Sequence, residues 1–236
     1  MRGSVLVMAK APVAGRAKTR LAKVAGDAGA AELAAAALLD TLAAGAAAYP
    51  PGRRVLALDG DLSEACRSEE IRAAAHDWIV VPQGGQGFGE RLVDGHRQAH
   101  RLAGGPVVQI GMDTPQVCPT VLRELADTAH YHGGPVLGPA LDGGWWVLVT
   151  THAAQAAVLS GVPMSRPDTG RLTAAALAAD GHPAAEAVAL RDVDLPDDAE
   201  AVAALAPGTR FAEAWRAVTG ERRSATDALT SEGHGS

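Results

Sequence analysis

Cysteine and aromatic residues are scarce in this chain of 236 residues. The two cysteines, Cys66 and Cys118, lie far apart and form no CxxC pair, which excludes a thiolate zinc site and a disulfide framework. A reducing cytoplasm is therefore the expected location. Aromatic residues make up only 3% of the chain, and alanine fills the expected helices instead.

A long apolar run free of charge is also absent. The longest alanine-rich stretch, residues 28–49, contains Glu32 and Asp40 and is a poor candidate for a membrane span. The apolar segment at residues 4–9 is too short for a signal peptide, and its basic residues lie on the wrong side. We expect neither a targeting signal nor a membrane partner.

The chain lacks the basic balance of a general nucleic-acid binder, because its net charge is -6. Its charges are unevenly distributed, however, and every charge before Asp27 is positive. The cations in this opening segment are Arg2, Lys10, Arg16, Lys18, Arg20 and Lys23. Such a local positive field suits a polyphosphate, so we expect a nucleotide as partner and no nucleic acid.

Short apolar runs alternate with helix-length segments along most of the chain. The runs that predict buried strands are residues 4–9, 53–59, 78–82 and 106–111. The segments between them include predicted helices at 27–48 and 91–103, followed by another at 120–130. This alternation predicts βαβ units and a mainly parallel central sheet flanked by helices, an α/β fold.

The last third of the chain departs from this alternation of strands and helices. Residues 135–149 are two apolar runs joined by Asp142-Gly143-Gly144, which is typical of a hairpin turn. We further predict helices near 152–159, up to 179 and at 210–219, and a strand at 187–194. Residues 221–236 lack apolar periodicity and are predicted to be a disordered tail after one domain of residues 1–220.

Residues 10–20 form a cationic loop directly after the first predicted strand. Glycine lets a backbone approach an anion closely, and lysine and arginine supply charge and hydrogen-bond donors. The candidate nucleotide-binding residues here are Lys10, Gly15, Arg16, Lys18 and Arg20. The segment is not a Walker A loop, because the required upstream glycine pattern is missing. The alternative is a solvated basic loop.

Glycines also crowd residues 83–91, which lead from the third predicted strand into a helix. A glycine-rich loop over a nucleotide, with the helix start facing it, would use Gln86, Gly89 and Arg91. The glycine spacing does not fit a dinucleotide-binding fingerprint. A plain flexible connection is an equally good interpretation of this segment.

Acidic residues end two of the predicted strands. Asp113 follows the run 106–111, and Asp192 and Asp194 end the run 187–194. Ligands of open α/β sheets bind at the carboxyl ends of strands, where carboxylates can hold Mg²⁺ or Mn²⁺ against a phosphate. We therefore take Asp113 and Asp194 as candidate metal ligands. The alternative for Asp113 is that it caps the helix after Pro115.

The turn at Asp142 combines a carboxylate with two following tryptophans. Indole faces stack on sugar rings, so exposed Trp145 and Trp146 could form the floor of a sugar site, although they could equally be core residues. Two histidines at a spacing of four, His96 and His100, could share a helix face. Without an HExxH motif they are predicted to be surface residues.

Five segments, taken in order, resemble a known family. They are Met8-Ala-Lys-Ala-Pro-Val-Ala-Gly-Arg-Ala-Lys-Thr-Arg-Leu21, Gly87-Phe-Gly-Glu-Arg-Leu92, Ile110-Gly-Met-Asp-Thr-Pro115, Leu137-Gly-Pro-Ala-Leu-Asp-Gly-Gly-Trp-Trp146 and Asp192-Val-Asp-Leu-Pro196. The set is similar to small bacterial GT-A-fold glycosyltransferase-like proteins, relatives of the molybdenum-cofactor and phospholactate nucleotidyltransferases. The resemblance covers residues 4–206 and implies a Rossmann-like GT-A fold, with nucleotide on the first loop and a divalent metal at Asp113.

The chain departs from that family in three places. Threonine stands at 114 where serine is usual, and tryptophans at 145 and 146 replace residues that are often tyrosine. Met164-Ser165-Arg166 replaces a Trp-Ser-Thr segment in the expected acceptor region. The third difference predicts an unusual acceptor.

These observations lead to three functional hypotheses. The first is a metal-dependent glycosyltransferase that uses a nucleotide sugar and a small-molecule acceptor, with Asp142 as the catalytic base. Its candidate acceptor-binding residues are Gly143, Gly144, Trp145 and Ser165. The second is a nucleotidyltransferase that condenses a nucleoside triphosphate with a small phosphorylated acceptor. The third is a non-catalytic nucleotide-binding protein.

Overall fold

The computed structural model describes residues 2–220. In that part of the chain the strands are β1 Ser4–Lys10, β2 Arg54–Asp59, β3 Ile79–Pro82, β4 Val107–Gly111, β5 Val136–Pro139, β6 Trp145–Thr150 and β7 Ala185–Glu186. The α-helices are α1 Ala22–Ala48, α2 Ser68–Ala74, α3 Phe88–Leu102, α4 Pro119–His132, α5 Thr169–Ala179, α6 Pro196–Leu205 and α7, residues 210–220. In the same part of the chain, 3-10 helices span Leu62–Glu64 and Ala153–Gly161.

All seven strands form one sheet, in the order β3-β2-β1-β4-β6-β5-β7. The neighbours from β3 to β4 are parallel, and β6 runs antiparallel to both β4 and β5. A short turn can join only antiparallel strands, which is why the segment around Asp142 reverses the chain. The carboxyl ends of β1, β2 and β4 consequently lie along the same edge of the sheet. The predicted mainly parallel α/β sheet is confirmed.

Side chains that alternate along β1 fill two separate core layers. Val5 and Val7 pack with α1 and α4 on one face of the sheet. Leu6 and Met8 pack with α3 and the 3-10 helix on the other face. A continuous apolar strand covered on both faces explains why β1 shows no polar alternation.

Helix α1 is the one helix within residues 2–220 that is long and apolar enough to cross a membrane. In its most apolar window 78% of the residues are buried inside the protein. It lies between the sheet and a third cluster, formed with Phe211 and Trp215 of α7 and with residues of α6. Burial on several sides explains why alanine and leucine make up most of the helix.

The prediction of a strand at residues 187–194 is wrong. Only Ala185–Glu186 forms a strand, parallel to β5, and Leu190 makes an isolated bridge with Ala140. Beyond that bridge the chain turns away from the sheet toward Pro196, where α6 begins. Helix α6 was not predicted, although Pro196 at its first turn, followed by two aspartates, is a typical helix start. The predicted tail at 221–236 lies outside the described residues.

The surface position predicted for His96 and His100 is also wrong. His96 is fully buried, and its Nδ1 lies 3.0 Å from the hydroxyl of Thr150. His100 is half-buried, and its Nε2 lies 2.8 Å from the same hydroxyl. The pKa of His96 is lowered to about 3 and that of His100 to about 4, chiefly by burial, with a contribution from a neighbouring imidazole in each case. Both rings are therefore neutral at pH 7.

These depressed pKa values predict that the protein loses stability in mild acid. The folded pKa of His96 lies below the unfolded value of 6.5, so the unfolded state takes up the proton first as the pH falls. The free energy of unfolding should fall below pH 6.5 by about 1.4 kcal/mol per pH unit from His96, with less from His100. His96→Gln should flatten the slope between pH 6 and 4.5 in urea unfolding. An unchanged slope would contradict this assignment.

Candidate nucleotide and cation site

The loop between β1 and α1 has a backbone shaped by left-handed residues. Gly15 has φ +74°, and Lys18 has φ +47°, which is uncommon for a residue with a side chain. The amides of Arg16 and Ala17 both donate to the carbonyl of Val13, at 3.0 and 3.1 Å. The loop is therefore folded back on itself at the carboxyl end of β1 and does not extend into solvent.

Two cations of this loop contact the acids that follow β4 and precede α6. The Lys18 ammonium lies 3.1 Å from Asp113 Oδ2 and also donates to the carbonyl of Val193. Arg20 forms an ion pair with Asp194. The structure thus brings the basic loop and the two predicted strand-end acids into direct contact.

The other two cations of the loop are exposed, as Arg20 is. Arg16 lies 3.4 Å from Glu64, with both side chains mostly in solvent. Lys10 is exposed at the end of β1, and its amide lies 3.3 Å from Met112 Sδ. Their charges remain accessible to a ligand at this edge of the sheet.

Asp113 stands two residues beyond β4 and does not cap a helix. The next helix, α4, begins at Pro119 with Cys118 as its N-cap residue. A Cβ at Gly111 would lie 2.5 Å from Asp113 Oδ1, so glycine is needed for the carboxylate to fold back over the strand end. The capping alternative for Asp113 is therefore wrong.

Asp192 is the acid that the sequence interpretation passed over in favour of Asp194. The pKa of Asp192 is raised to about 6, chiefly by burial and also by the negative charges of Asp113 and Asp142, which Lys18 opposes. These interactions place Asp113, Asp142 and Asp192 in one electrostatic cluster. The sequence could not show whether Asp192 or Asp194 belongs to this cluster, because the irregular backbone decides which of the two carboxylates faces it.

The raised pKa of Asp192 predicts that removal of its charge stabilises the ligand-free protein. The folded state binds the proton more tightly than the unfolded state, so stability falls as the pH rises from about 4 to about 6. Because the side chain is partly exposed, we expect Asp192→Asn to add only about 1 kcal/mol at pH 7.5. Thermal unfolding should show this gain shrinking toward pH 4, whereas a gain independent of pH would contradict the assignment.

The glycine-rich segment before α3 is tied to the same edge of the sheet. Gln83 donates to the carbonyls of Ala9 and Ala57, at 2.8 and 2.9 Å, and so bridges β1 and β2. Arg91 lies 2.7 Å from Asp59 Oδ2, at the end of β2. The sequence interpretation missed Gln83, and its position directly after a strand was the available signal.

Gly89 and Gln86, two of the predicted nucleotide-binding residues, make contacts within the protein. Gly89 is buried, and a Cβ there would lie 2.3 Å from the carbonyl oxygen of Leu159. Its small size therefore lets α3 pack on the 3-10 helix. Gln86 is exposed, and its backbone amide donates to the carboxylate of Glu90 at 2.7 Å. The structure does not bring Gly89 to the ion pairs of the basic loop.

The turn around Asp142 is held against the loop before α5. Asp142 is exposed and accepts a hydrogen bond of 2.7 Å from the Gly144 amide. The Gly170 amide donates to the Gly143 carbonyl at 2.9 Å. A Cβ at Gly143 would lie 1.8 Å from the Pro167 carbonyl oxygen, and one at Gly170 would lie 2.4 Å from that of Gly144. Both close approaches require glycine.

The tryptophans that follow this turn face inward. Trp146 is buried and donates from Nε1 to the carbonyl of Val188 at 2.9 Å, so of its two interpretations the core position holds and the exposed sugar floor does not. Trp145 is half-buried and packs against the second core layer. Ser165 is exposed, with φ +59°, on the loop that faces the turn.

A cavity of about 340 Å³ lies beside the turn. Its lining includes Gly143, Gly144, Pro167, Gly170, Arg171 and Glu186. The cavity is mostly apolar, with two charged side chains at α5 and β7. Its size fits a small molecule.

The acids at this edge suit a cation that shares its ligands with a phosphate. In residues 2–220 no three histidine, cysteine or acidic side chains are grouped so as to hold a metal by themselves. Mg²⁺ commonly uses one or two carboxylates together with substrate phosphates and water. Asp113, Asp192 and Asp194 are the carboxylates available for that arrangement, with Asp113 now paired with Lys18 and Asp194 with Arg20.

Residues 41–166 match the family DUF2064, described as an uncharacterized protein conserved in bacteria. The chain belongs to this family. No protein of curated function matches it in sequence. The matched region includes Asp113, the glycine-rich segment and the Asp142 turn, and stops before Asp192.

Solved structures extend the likeness to nearly the whole fold. A protein named as a nucleotide-diphospho-sugar transferase from Desulfovibrio desulfuricans G20 aligns with a TM-score of 0.76 and 22% identity, covering 95% of this chain and 96% of that one. A cytidylyltransferase from Leptospira borgpetersenii serovar Hardjo-bovis aligns at 0.54 and 14%, covering 94% and 96%. CMP:2-keto-3-deoxy-manno-octonic acid synthetase complexed with CTP aligns at 0.51 and 13%, covering 88% and 99%. These likenesses confirm the expected Rossmann-like GT-A type of α/β fold.

Proposed function

We propose that this protein is a metal-dependent glycosyltransferase that moves a sugar from a nucleoside-diphosphate donor to a small acceptor. The observation that carries the proposal is the contact of the basic loop with Asp113 at the carboxyl edge of the sheet. A diphosphate needs cations on its oxygens, and a divalent metal needs carboxylates beside them. This edge of the sheet offers both sets of groups within one ion-pair distance.

The basic loop would hold the donor phosphates. Lys18 lies innermost, with its side chain 12% exposed, and Arg20, Arg16 and Lys10 lie exposed around it. Gly15 has no side chain to keep an anion from the backbone of the loop, although the Asp27 carboxylate lies 3.7 Å from where its Cβ would be. Arg91, anchored by Asp59 at the end of β2, adds a further cation at this edge.

The carboxylates would hold the cation and activate the acceptor. Asp113 and Asp192 are the proposed ligands, with Asp194 available if Arg20 turns to the phosphate. A bound divalent cation would stabilise the charge that develops on the leaving diphosphate. Asp142, exposed on its glycine turn, is the proposed base for the acceptor hydroxyl if the reaction inverts the anomeric centre.

The acceptor would bind on the side of the Asp142 turn that faces α5. The cavity there is mostly apolar and holds about 340 Å³, which limits the acceptor to a small molecule. Gly143 and Gly144 line it, Ser165 lies on the facing loop, and Trp145 packs beneath the turn. The fold likeness to the protein named as a nucleotide-diphospho-sugar transferase, at a TM-score of 0.76, supports glycosyl transfer.

Nucleotidyl transfer is the second candidate, because two of the similar solved structures are a cytidylyltransferase and a synthetase complexed with CTP. The same loop and cation would then bind a nucleoside triphosphate and release pyrophosphate. Only the acceptor pocket would differ between the two reactions.

Incubation with radiolabelled nucleotides and Mn²⁺ distinguishes the candidates. Release of a nucleoside diphosphate from a nucleotide sugar is the result that glycosyl transfer predicts. Release of pyrophosphate from a triphosphate would instead establish nucleotidyl transfer. Tight nucleotide binding without either product, over a panel of acceptors with small hydroxyl or phosphate groups, would favour the non-catalytic hypothesis.

A further inference from the structure

Lys18 occupies the carboxylate cluster as an internal cation. Its side chain is only 12% exposed, and its ammonium contacts both Asp113 and the carbonyl of Val193. The acids near it repel one another, because the negative charges of Asp113 and Asp142 both act on Asp192. A buried ammonium within such a group partly neutralises charges that a divalent cation would otherwise neutralise.

The rest of the loop is held to the same acids by a second contact. Arg20, two residues after Lys18, pairs with Asp194, which directly follows Val193 in the sequence. The left-handed backbone at Lys18 directs its side chain inward while its neighbours Thr19 and Arg20 are exposed. Two ion pairs from one loop thus cover the acids at the ends of β4 and of the segment before α6.

A divalent cation and the Lys18 ammonium compete for the Asp113 oxygens, because like charges repel at short range. Phosphate oxygens offer Lys18 an alternative partner of the same charge sign as Asp113. Lysine suits such an exchange, since its ammonium is a compact charge on a flexible stem.

We infer that Lys18 sets the order of binding: it excludes a divalent cation from Asp113 until the phosphates of a nucleotide draw it away. This inference rests on the proposed function, because it assumes that the site takes a nucleotide and a metal. It predicts that the cation alone binds weakly and that the cation and nucleotide bind together.

The test measures Mn²⁺ binding to the full chain without nucleotide, by electron paramagnetic resonance of the free ion. Lys18→Met is expected to bind Mn²⁺ about tenfold more tightly than the unaltered protein. Lys23→Met is the matched control, because Lys23 is exposed on α1 and its substitution removes the same charge. It should leave Mn²⁺ binding unchanged. Equal or weaker binding by Lys18→Met would overturn the inference.

Asp113→Asn provides a second test if Lys18→Met does not fold. Asp113 competes with phosphate for Lys18, so this variant should bind a nucleoside diphosphate in metal-free buffer at least as tightly as the unaltered protein. Weaker metal-free binding would count against the exchange. If the unaltered protein binds nucleotide with Mn²⁺ while both variants behave contrary to expectation, only the inference fails. If the unaltered protein binds no nucleotide under any condition, the proposed function itself fails.

Discussion

Replacing Asp113 by asparagine is expected to lower kcat/KM of the proposed transfer about 1000-fold, equivalent to about 4 kcal/mol of transition-state stabilisation. The amide keeps the size of the side chain but loses the charge that would hold a cation against the leaving diphosphate. The fold should persist, because the Asp113 side chain is 36% exposed and contributes nothing to the apolar core. Initial rates of nucleoside diphosphate release at saturating Mn²⁺ measure the effect.

The control for this experiment is Asp77→Asn. Asp77 is exposed and precedes β3, so it lies at the amino edge of the sheet, opposite the site. Loss of the same charge there should leave the rate within about twofold, since exposed charges farther than a Debye length away are screened. A full rate in Asp113→Asn would show that Asp113 holds no catalytic cation.

Gly143→Ala is expected to disrupt the Asp142 turn and to destabilise the protein. Gly143 has φ +90°, and an added Cβ would lie 1.8 Å from the carbonyl oxygen of Pro167. Backbone strain and the forced separation of the two loops should together cost about 3 kcal/mol, which lowers Tm by about 9 °C for a chain of this size. The acceptor KM should rise as well, because the carboxylate of Asp142 moves with its turn.

The matched control is Gly161→Ala. Gly161 ends the 3-10 helix after β6, and nothing lies within 4 Å of the position of its added Cβ. Its Tm and acceptor KM should stay close to those of the unaltered protein. If Gly143→Ala behaves like this control in calorimetry and in acceptor titrations, the turn is not fixed by the contact with Pro167.

The main features of the sheet could be predicted from the sequence because its buried strands are short, continuous and separated by helix-length segments. Parallel strands place their carboxyl ends at one edge of the sheet. Asp113, which follows one strand, and the loop after β1 were therefore expected at that edge. Their contact through Lys18 confirms that expectation. The roles of these residues in binding stay a prediction.

The errors arose where tertiary packing, and not local pattern, decides the structure. His96 is buried because it shares a helix face with Leu92 and Ala99, and the spacing of two histidines alone did not reveal that face. The segment after β7 has the composition of a strand, but it leaves β5 after Leu190 in order to start α6. Which of Asp192 and Asp194 faces the acid cluster depends on that irregular path.

The central claim is that the loop after β1 and Asp113 together hold a metal-bound diphosphate. Crystals soaked with a nucleoside diphosphate and MnCl2 test it most directly, through the anomalous signal of manganese. We expect one Mn²⁺ coordinated by Asp113, with the diphosphate in contact with Lys18 and Arg20. Density for the diphosphate and the metal at another place on the protein, with the Lys18–Asp113 ion pair intact, would contradict it.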